Sequence, residues 1–265
     1  MTIAEKGIIY LVGAGPGDPE LLTLKAADLL RTADVVLHDD LIPEAILARC
    51  SPAAKCISVG KRCGQARVTQ AQIHDWMIAA AQQGASVVRL KSGDPMVFGR
   101  AGEEMDALRA AGIAFEIVPG ITAMFAAAAA AQHSLTDRRS ASTIILTTAH
   151  RAPGTETARA PLWKGSLPQD ATVGIYMPGR DLRALAWDMR AAGLAPGLPC
   201  LVVSDISRST QRIEHTTLDR MESRSMDDAP VLVLAGWPLE EVGANTTDAL
   251  QRTLGAMGAS PAHVG

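Results

Sequence analysis

A glycine-rich turn near the N-terminus has the composition of a ligand-binding loop. Residues 12–17, VGAGPG, follow a β-rich run and precede leucines and alanines at helical spacing. Glycines at such a turn let the backbone approach a ligand at a helix N-terminus. The dinucleotide-binding pattern fits poorly, because Pro16 interrupts it, the third glycine arrives one residue early and no acidic residue ends the second strand in the manner of ribose recognition. A structural turn and a turn that faces another ligand both stay open.

Arg100 and Glu103 form a second candidate site. They are one helical turn apart, so the glutamate can share a face with the arginine and fix its guanidinium fork. Arginine accounts for 19 of the 25 basic residues, and its planar fork matches carboxylates in a bidentate manner. A polycarboxylate ligand would suit this bias, although a GC-rich genome would explain it equally well.

Composition excludes several classes of function. The formal charge of −3 gives no general attraction for nucleic acid or anionic membranes, so we expect neither as a partner. No run reaches the roughly 18 apolar residues that a membrane span needs, and we expect a cytoplasmic protein. Neither a disulfide framework nor a metal site is expected, because the cysteines lack CxxC spacing; they are Cys50, Cys56, Cys63 and Cys200.

Alternating β-rich and helical runs predict an α/β fold for the first half of the chain. Strands are predicted at residues 7–12, 34–38, 55–59, 86–90 and 114–118. Asp18 followed by Pro19 predicts a helix start, and Thr69 with Gln72 has the capping-box form. The alanine-rich residues 123–131 are interpreted as a buried helix. This alternation predicts a mostly parallel sheet covered on both faces.

The pattern changes after Thr136, where we place a domain boundary. Further strands are predicted at residues 142–148, 172–177 and 200–203, a helix at 181–192, and an antiparallel pair formed by 212–217 with 231–235. We therefore expect an N-terminal α/β domain over residues 1–138, a C-terminal α/β domain over 139–243 and a flexible tail over 244–265.

Six motifs together resemble a known family. GAGPGDPELLTLKAADLL, DVVLHDDLI, VGKR, VVRLKSGDPMVFGRAGEE, VPGITA and SLTDR occur in the order and spacing of the uroporphyrinogen-III C-methyltransferases, members of the tetrapyrrole methylase family. The resemblance covers residues 7 to 240. It implies two α/β domains with the active site in the cleft between them, a homodimer, and S-adenosylmethionine (SAM) as co-substrate. Because the chain begins almost at the first motif, we expect the methylase without the dehydrogenase and chelatase domain fused to some relatives.

The same resemblance implies a SAM site made from both domains. Asp94 can pair with the ammonium group of the ligand, and the N-terminus of a helix after Gly120 can hold its carboxylate. In the second domain, apolar side chains would enclose the adenosine. The implied SAM residues are Pro16, Ser92, Gly93, Asp94, Val97, Thr122, Ala123, Met177, Ile206 and Ala229.

The implied acceptor is uroporphyrinogen III, which carries eight carboxylates. Asp39 and Lys61 correspond to positions proposed as acid/base groups in the family. Arg100, with Glu103, is interpreted as a substrate clamp first and a base second, because the pKa of arginine lies above about 12. Arginines in or beside the motifs that could meet carboxylates are Arg62, Arg67, Arg100, Arg138, Arg139 and Arg151.

Three positions depart from the family pattern. The chain has His38-Asp39-Asp40 where Tyr-Asp-Arg is usual, Asp137 where histidine often precedes an arginine, and Ala149 in place of glycine. Additional carboxylates would repel a polyanionic substrate. Either the substrate differs, or Asp40 and Asp137 pair with neighbouring arginines.

The leading hypothesis is methylation of uroporphyrinogen III at C2 and C7 to precorrin-2, with release of two S-adenosylhomocysteines. The alternatives are a methyltransferase for another tetrapyrrole or corrin precursor, a non-catalytic SAM-binding relative and a nicotinamide-dependent oxidoreductase that uses the GAGPG turn. The downstream pathway, whether sirohaem, cobalamin or haem d1, is left open.

Overall fold

The first half of the chain forms a five-stranded parallel sheet. The computed structural model describes residues 1–60, 68–150, 162–163, 165–221 and 229–240. The strands of this sheet are Ile9–Gly13 (β1), Val35–His38 (β2), Lys55–Ser58 (β3), Val87–Lys91 (β4) and Phe115–Val118 (β5). They are all parallel, in the order β3-β2-β4-β1-β5. The predicted parallel sheet is confirmed.

Helices cover both faces of this sheet, as predicted. They are Leu24–Thr32 (α1), Glu44–Leu47 (α2), Gln70–Gln82 (α3) and Ala101–Ala110 (α4). Side chains of β1 alternate between the two faces. Tyr10 and Val12 pack with α1 and α2, whereas Ile9 and Leu11 pack with α3 and α4. The central strand β1 is therefore apolar on both sides.

Local capping signals determine where the helices begin. The Thr69 side chain accepts the Gln72 N–H, and the Gln72 side chain accepts the Thr69 N–H, so the predicted capping box is present. Asp18 caps only a short 3-10 turn. The first α-helix begins at Leu24 instead, because the Thr23 hydroxyl caps it. The start of α1 was therefore predicted too early.

The second half forms a mixed five-stranded sheet. Its strands are Thr143–Thr148 (β6), Ala171–Tyr176 (β7), Pro199–Ser204 (β8), Arg212–Thr217 (β9) and Val231–Ala235 (β10), in the order β6-β7-β10-β8-β9. The predicted pairing of β9 with β10 is wrong. Both strands are antiparallel to β8 and lie on opposite sides of it. β8 suits this inner position because its residues are mostly apolar, and five of the six are buried there.

Helix Ala123–Ala130 (α5) links the two halves. It follows β5 in sequence, but its Met124 and Ala127 pack on one face of the second sheet. The helices Leu182–Ala191 (α6) and Leu218–Met221 (α7) cover the other face. A side chain at Gly174 in β7 would collide with Met124, so this position suits glycine. The prediction of a buried alanine-rich helix is confirmed. Within the described residues, no helix has the length and apolar character to cross a membrane.

Candidate active site

The loops that follow β1 and β4 are joined directly at the carboxyl edge of the parallel sheet. Gly15 and Gly93 exchange two backbone hydrogen bonds, of 3.1 and 2.8 Å. The Ala14 N–H donates to the Lys91 carbonyl at 2.8 Å. Two N–H groups of the glycine-rich turn are therefore used within the protein. This explains physically why the turn is a poor candidate for a pyrophosphate cradle.

Glycine packing brings a third loop, after β5, against the first two. A Cβ atom on Gly13 would lie 2.6 Å from the Gly120 nitrogen and 2.7 Å from the Gly93 oxygen. The Asp94 carboxylate also connects these loops, because it accepts the N–H of Gly120 at 3.0 Å and that of Met96 at 2.8 Å. A carboxylate has about four lone-pair sites, so Asp94 retains capacity to accept from a ligand cation.

A tyrosine from the second half occupies the N-terminus of α5. The Tyr176 hydroxyl lies 2.6 Å from the Thr122 hydroxyl and accepts the N–H of Met124 at 3.0 Å. Burial raises the pKa of Tyr176, which keeps the phenol protonated. A ligand carboxylate held by Thr122 and the N-terminus of α5, as expected from the sequence, would therefore have Tyr176 as a neighbour. Nothing in the sequence pattern pointed to this tyrosine.

Loops of the second half lie near the same helix. Met177 directly follows β7, has a left-handed backbone with φ of 49° and is 48% exposed. Ile206 packs in the apolar cluster between α5 and the second sheet. Ala229 precedes β10, where the Pro230 carbonyl accepts the Asp205 N–H at 3.0 Å. These loops therefore border the region that the first-half loops form.

The predicted SAM residues lie on this set of loops or at the start of α5. The loops after β1, β4 and β5 contact one another, and α5 connects them to the second sheet. The residues are Pro16, Ser92, Gly93, Asp94, Val97, Thr122, Ala123, Met177, Ile206 and Ala229.

The predicted catalytic residues lie beside the same edge. Asp39 directly follows β2, and its carboxylate accepts a hydrogen bond from Arg89 at 2.5 Å. Arg100 binds Glu103 through two hydrogen bonds of 2.7 Å, as predicted from their spacing. The hydrogen bond from Arg100 lowers the pKa of Glu103. Other predicted residues fall outside the described part of the chain, namely Lys61, Arg62, Arg67 and Arg151.

A buried charged cluster beneath Asp39 was missed by sequence reasoning. Glu104 is fully buried and accepts hydrogen bonds from Arg89 at 3.0 Å and Lys91 at 2.9 Å. Burial lowers the pKa of Lys91, and the neighbouring Arg89 charge lowers it further. Burial alone would lower the pKa of Arg89 as well. The Asp39 and Glu104 carboxylates have the larger effect, and together they raise the pKa of Arg89 above its usual value. The sequence signal that could have revealed this cluster is the pair Arg89 and Lys91, which are two residues apart in a strand whose other residues are apolar.

One of the two unusual carboxylates, Asp137, pairs with an arginine, which was one of the two alternatives that the sequence left open. Asp137 binds Arg139 through its side chain at 2.8 and 3.0 Å, and this interaction lowers the pKa of Asp137 to about 2. Within the described residues, the side-chain partner of Asp40 is the Ser58 hydroxyl at 3.4 Å. Arg138 is exposed. The local charge of Asp137 is therefore compensated.

A cavity of about 560 Å³ lies where the two halves meet. Residues 17–19, 40, 42–45 and 207–210 line it. Arg208 spans the junction by donating to the Leu41 carbonyl at 2.7 Å. The volume is in the range of small-molecule sites. Among the described residues that line it, the carboxylates of Asp18, Asp40 and Glu44 outnumber the one cation, Arg208. This described lining therefore disfavours a polyanion in this cavity.

Sequence comparisons identify the family. The sequence profile described as Tetrapyrrole (Corrin/Porphyrin) Methylases matches residues 8–222. The chain is 40% identical over 233 residues to an S-adenosyl-L-methionine-dependent uroporphyrinogen III methyltransferase of Methanosarcina barkeri, covering 87% of this chain and 91% of that one. It is 40% identical over 237 residues to the uroporphyrinogen-III C-methyltransferase of Paracoccus denitrificans, covering 88% and 82%. It is 41% identical to a siroheme synthase of Pseudomonas fluorescens, of which it spans 50%.

Solved structures agree with this assignment. A cobalt precorrin-4 methyltransferase superposes with a TM-score of 0.72 at 29% identity, covering 89% of this chain and 97% of that one. Uroporphyrin-III-C-methyltransferase from Thermus thermophilus gives a TM-score of 0.71 at 33% identity, covering 88% and 93%. The complex of the Thermus enzyme with S-adenosyl homocysteine gives 0.68 at 33% identity, covering 86% and 91%. The chain is thus an α/β protein that belongs to the tetrapyrrole (corrin/porphyrin) methylase family.

Proposed function

We propose that this protein transfers methyl groups from SAM to C2 and C7 of uroporphyrinogen III, giving precorrin-2 and two S-adenosylhomocysteines. The observation that carries the proposal is the convergence of the predicted SAM loops beside Asp39 and the Arg100–Glu103 pair. Two relatives at 40% identity bear names for this activity, and they are matched over 82% or more of their length.

The residues at the convergent loops have the chemistry that a zwitterionic nucleoside ligand requires. Asp94 offers a carboxylate to the ammonium group, and residues at the start of α5 offer polar contacts to the carboxylate. Met177 and Ile206 supply apolar surface for the adenosine. The sulfonium of bound SAM supplies a methyl group open to SN2 attack.

The reaction also requires that the protein bind the tetrapyrrole acceptor and remove a proton from it. A pyrrole carbon forms the new carbon–carbon bond while the sulfur–methyl bond breaks, and a meso proton is then lost. Asp39 is proposed as the proton acceptor, with Lys61 as a second acid/base group. Arg100 is 55% exposed and is held by Glu103, so it can reach a substrate carboxylate with its fork pre-oriented. Alignment in a water-poor cleft accounts for the rest of the rate.

A methyltransferase for a later corrin precursor has similar support from shape alone, because the precorrin-4 enzyme superposes as well as the Thermus one. Identity favours uroporphyrinogen III, at 40% for the named relatives against 29%. The nicotinamide alternative rested on the GAGPG turn. That turn is hydrogen-bonded to the loop after β4, and the family assignment leaves this alternative without support.

The decisive experiment is anaerobic incubation with uroporphyrinogen III and SAM labelled in its methyl group, followed by mass spectrometry of the product. Two methyl groups on the ring support the proposal, and an unmethylated ring rejects it. Asp39→Asn should leave the Kd for SAM within a few-fold and reduce turnover by about 100-fold or more. Turnover equal to that of the unmodified protein would remove Asp39 from the mechanism.

We further propose a cytoplasmic homodimer without a bound metal, built from domains at residues 1–138 and 139–243. Light scattering coupled to size-exclusion chromatography tests the assembly, and a mass of one chain would reject it. Full activity after extensive dialysis against a chelator tests the absence of a metal, and activity restored only by a cation would overturn it.

A further inference from the structure

The charged cluster beneath Asp39 lies in an apolar layer of the molecule. Glu104 is fully buried, and the side chains of Arg89 and Lys91 are 4% and 3% exposed. The apolar cluster between the parallel sheet and α3 and α4 includes Val87 and Leu108 on the same strand and helix. Buried ion pairs are costly to desolvate, and apolar side chains of similar volume are often at least as stable. The four charges of this cluster, including Asp39, therefore point to a use other than stability.

Every nitrogen of the Arg89 guanidinium is engaged. Nε donates to Glu104, and one terminal nitrogen donates to the Leu37 carbonyl at 3.4 Å and the Leu90 carbonyl at 3.2 Å. The other terminal nitrogen donates to Asp39. Because the guanidinium is planar, these bonds fix both its position and its orientation. Of its carboxylate partners, only Asp39 reaches solvent, with a side chain 33% exposed.

Through Lys91, Glu104 also connects to the loop that carries Arg100. Lys91 Nζ donates to Glu104 at 2.9 Å, and the Lys91 Cε atom lies 3.2 Å from where a Cβ on Gly99 would be. Gly99 directly precedes Arg100, and Glu104 follows Glu103 on α4. Within the described residues, the second oxygen of Glu104 is buried and has no hydrogen-bond partner. One carboxylate oxygen therefore holds both cations.

We infer that Glu104, with Arg89 and Lys91, is a positioning unit that fixes the Asp39 carboxylate at the cleft for the proposed methyl transfer. None of the three touches the reacting atoms in this arrangement; Arg89 acts through Asp39. The inference rests on the proposed function, in which Asp39 is the proton acceptor. It predicts that disturbing the unit changes the rate of reaction much more than it changes SAM binding.

A double-mutant cycle separates positioning from stability. Turnover and the Kd for SAM are measured for Arg89→Lys, Asp39→Asn and the double variant. Arg89→Lys should lower kcat by about 10-fold or more with the Kd within about threefold, and the double variant should be no slower than Asp39→Asn within about twofold. Arg109→Lys, an exposed arginine on α4 that pairs with Asp106, is the matched control and should keep kcat.

Several outcomes would overturn the inference. If the two rate losses multiply in the double variant, Arg89 does not act through Asp39. If Arg89→Lys does not fold, Glu104→Gln is tested in the same cycle, since it removes the charge with little change of shape. Loss of folding in both shows that the cluster serves stability, which rejects positioning. An unmodified protein that methylates no tetrapyrrole rejects the proposed function itself, whereas active protein with multiplying losses rejects only this inference.

Discussion

The close contact of three backbones at Gly13 gives the sharpest test of how the site is built. A Cβ on Gly13 would lie 2.6 and 2.7 Å from the nitrogen and Cα of Gly120, and 2.7 Å from the Gly93 oxygen. Ordinary contact begins near 3.4 Å, so these backbone atoms would have to move away by roughly 0.7–0.8 Å. None of them can rotate away as a side chain could. Overpacking of this kind costs about 1–3 kcal/mol.

Gly13→Ala should therefore lower the unfolding midpoint by about 2–4 °C for each kcal/mol lost and also separate the loops that carry the SAM residues. Misplacement approaching 1 Å can cost about 100-fold in rate, so we expect turnover to fall toward that extent and SAM binding to weaken. Calorimetry measures both the midpoint and the Kd. Gly197→Ala is the matched control, because a Cβ there meets nothing within 4 Å. If Gly13→Ala binds SAM and unfolds as the control does, the reasoning is refuted.

Three other changes test neighbouring features. Arg100→Lys should lower substrate affinity and rate together, because lysine cannot make the bidentate contact; unchanged steady-state kinetics would place the clamp elsewhere. Tyr176→Phe should destabilise the protein by about 1–3 kcal/mol, since a buried helix N–H loses its acceptor, and it should weaken SAM binding; an unchanged Kd would show that this phenol does not shape the site. The hydrogen bonds from Lys6 and Ser86 lower the pKa of Asp34 to about 2. Asp34→Asn should therefore cost about 1 kcal/mol at neutral pH after allowance for solvent screening, and this difference in unfolding free energy should shrink as pH falls below about 4; a constant difference down to pH 3 would contradict it.

Elements with strong local signals could be predicted from the sequence. The alternation of strands and helices, the capping box at Thr69 and the Arg100–Glu103 pair depend on spacing that is visible within a few residues. The neighbours of β8 could not be predicted in this way. β9 and β10 both carry β-branched and apolar residues, and only tertiary packing decides that each takes one side of β8.

The side on which α5 packs shows the same limit. Its alanine-rich sequence indicates burial but not the surface that buries it, and the helix lies on the sheet of the second half. Tyr176 reaches the start of α5 for this reason, although 52 residues separate it from Met124 in sequence. The buried Arg89–Glu104 pair is another long-range consequence. Its charges suggest an exposed surface in the sequence, whereas the fold places them under two helices.

Backbone strain also marks the site, in a way that residue type alone does not reveal. Within the described residues, six that are not glycine have a positive φ angle: Phe98, Arg100, Gln132, Met177, Asp205 and Ser207. All except Gln132 lie on the loops after β4, β7 and β8. Such conformations cost about 1–3 kcal/mol each and persist only where the surrounding structure holds them. They recur on loops from both halves of the chain, and this supports the proposal that these loops hold one common ligand for methyl transfer.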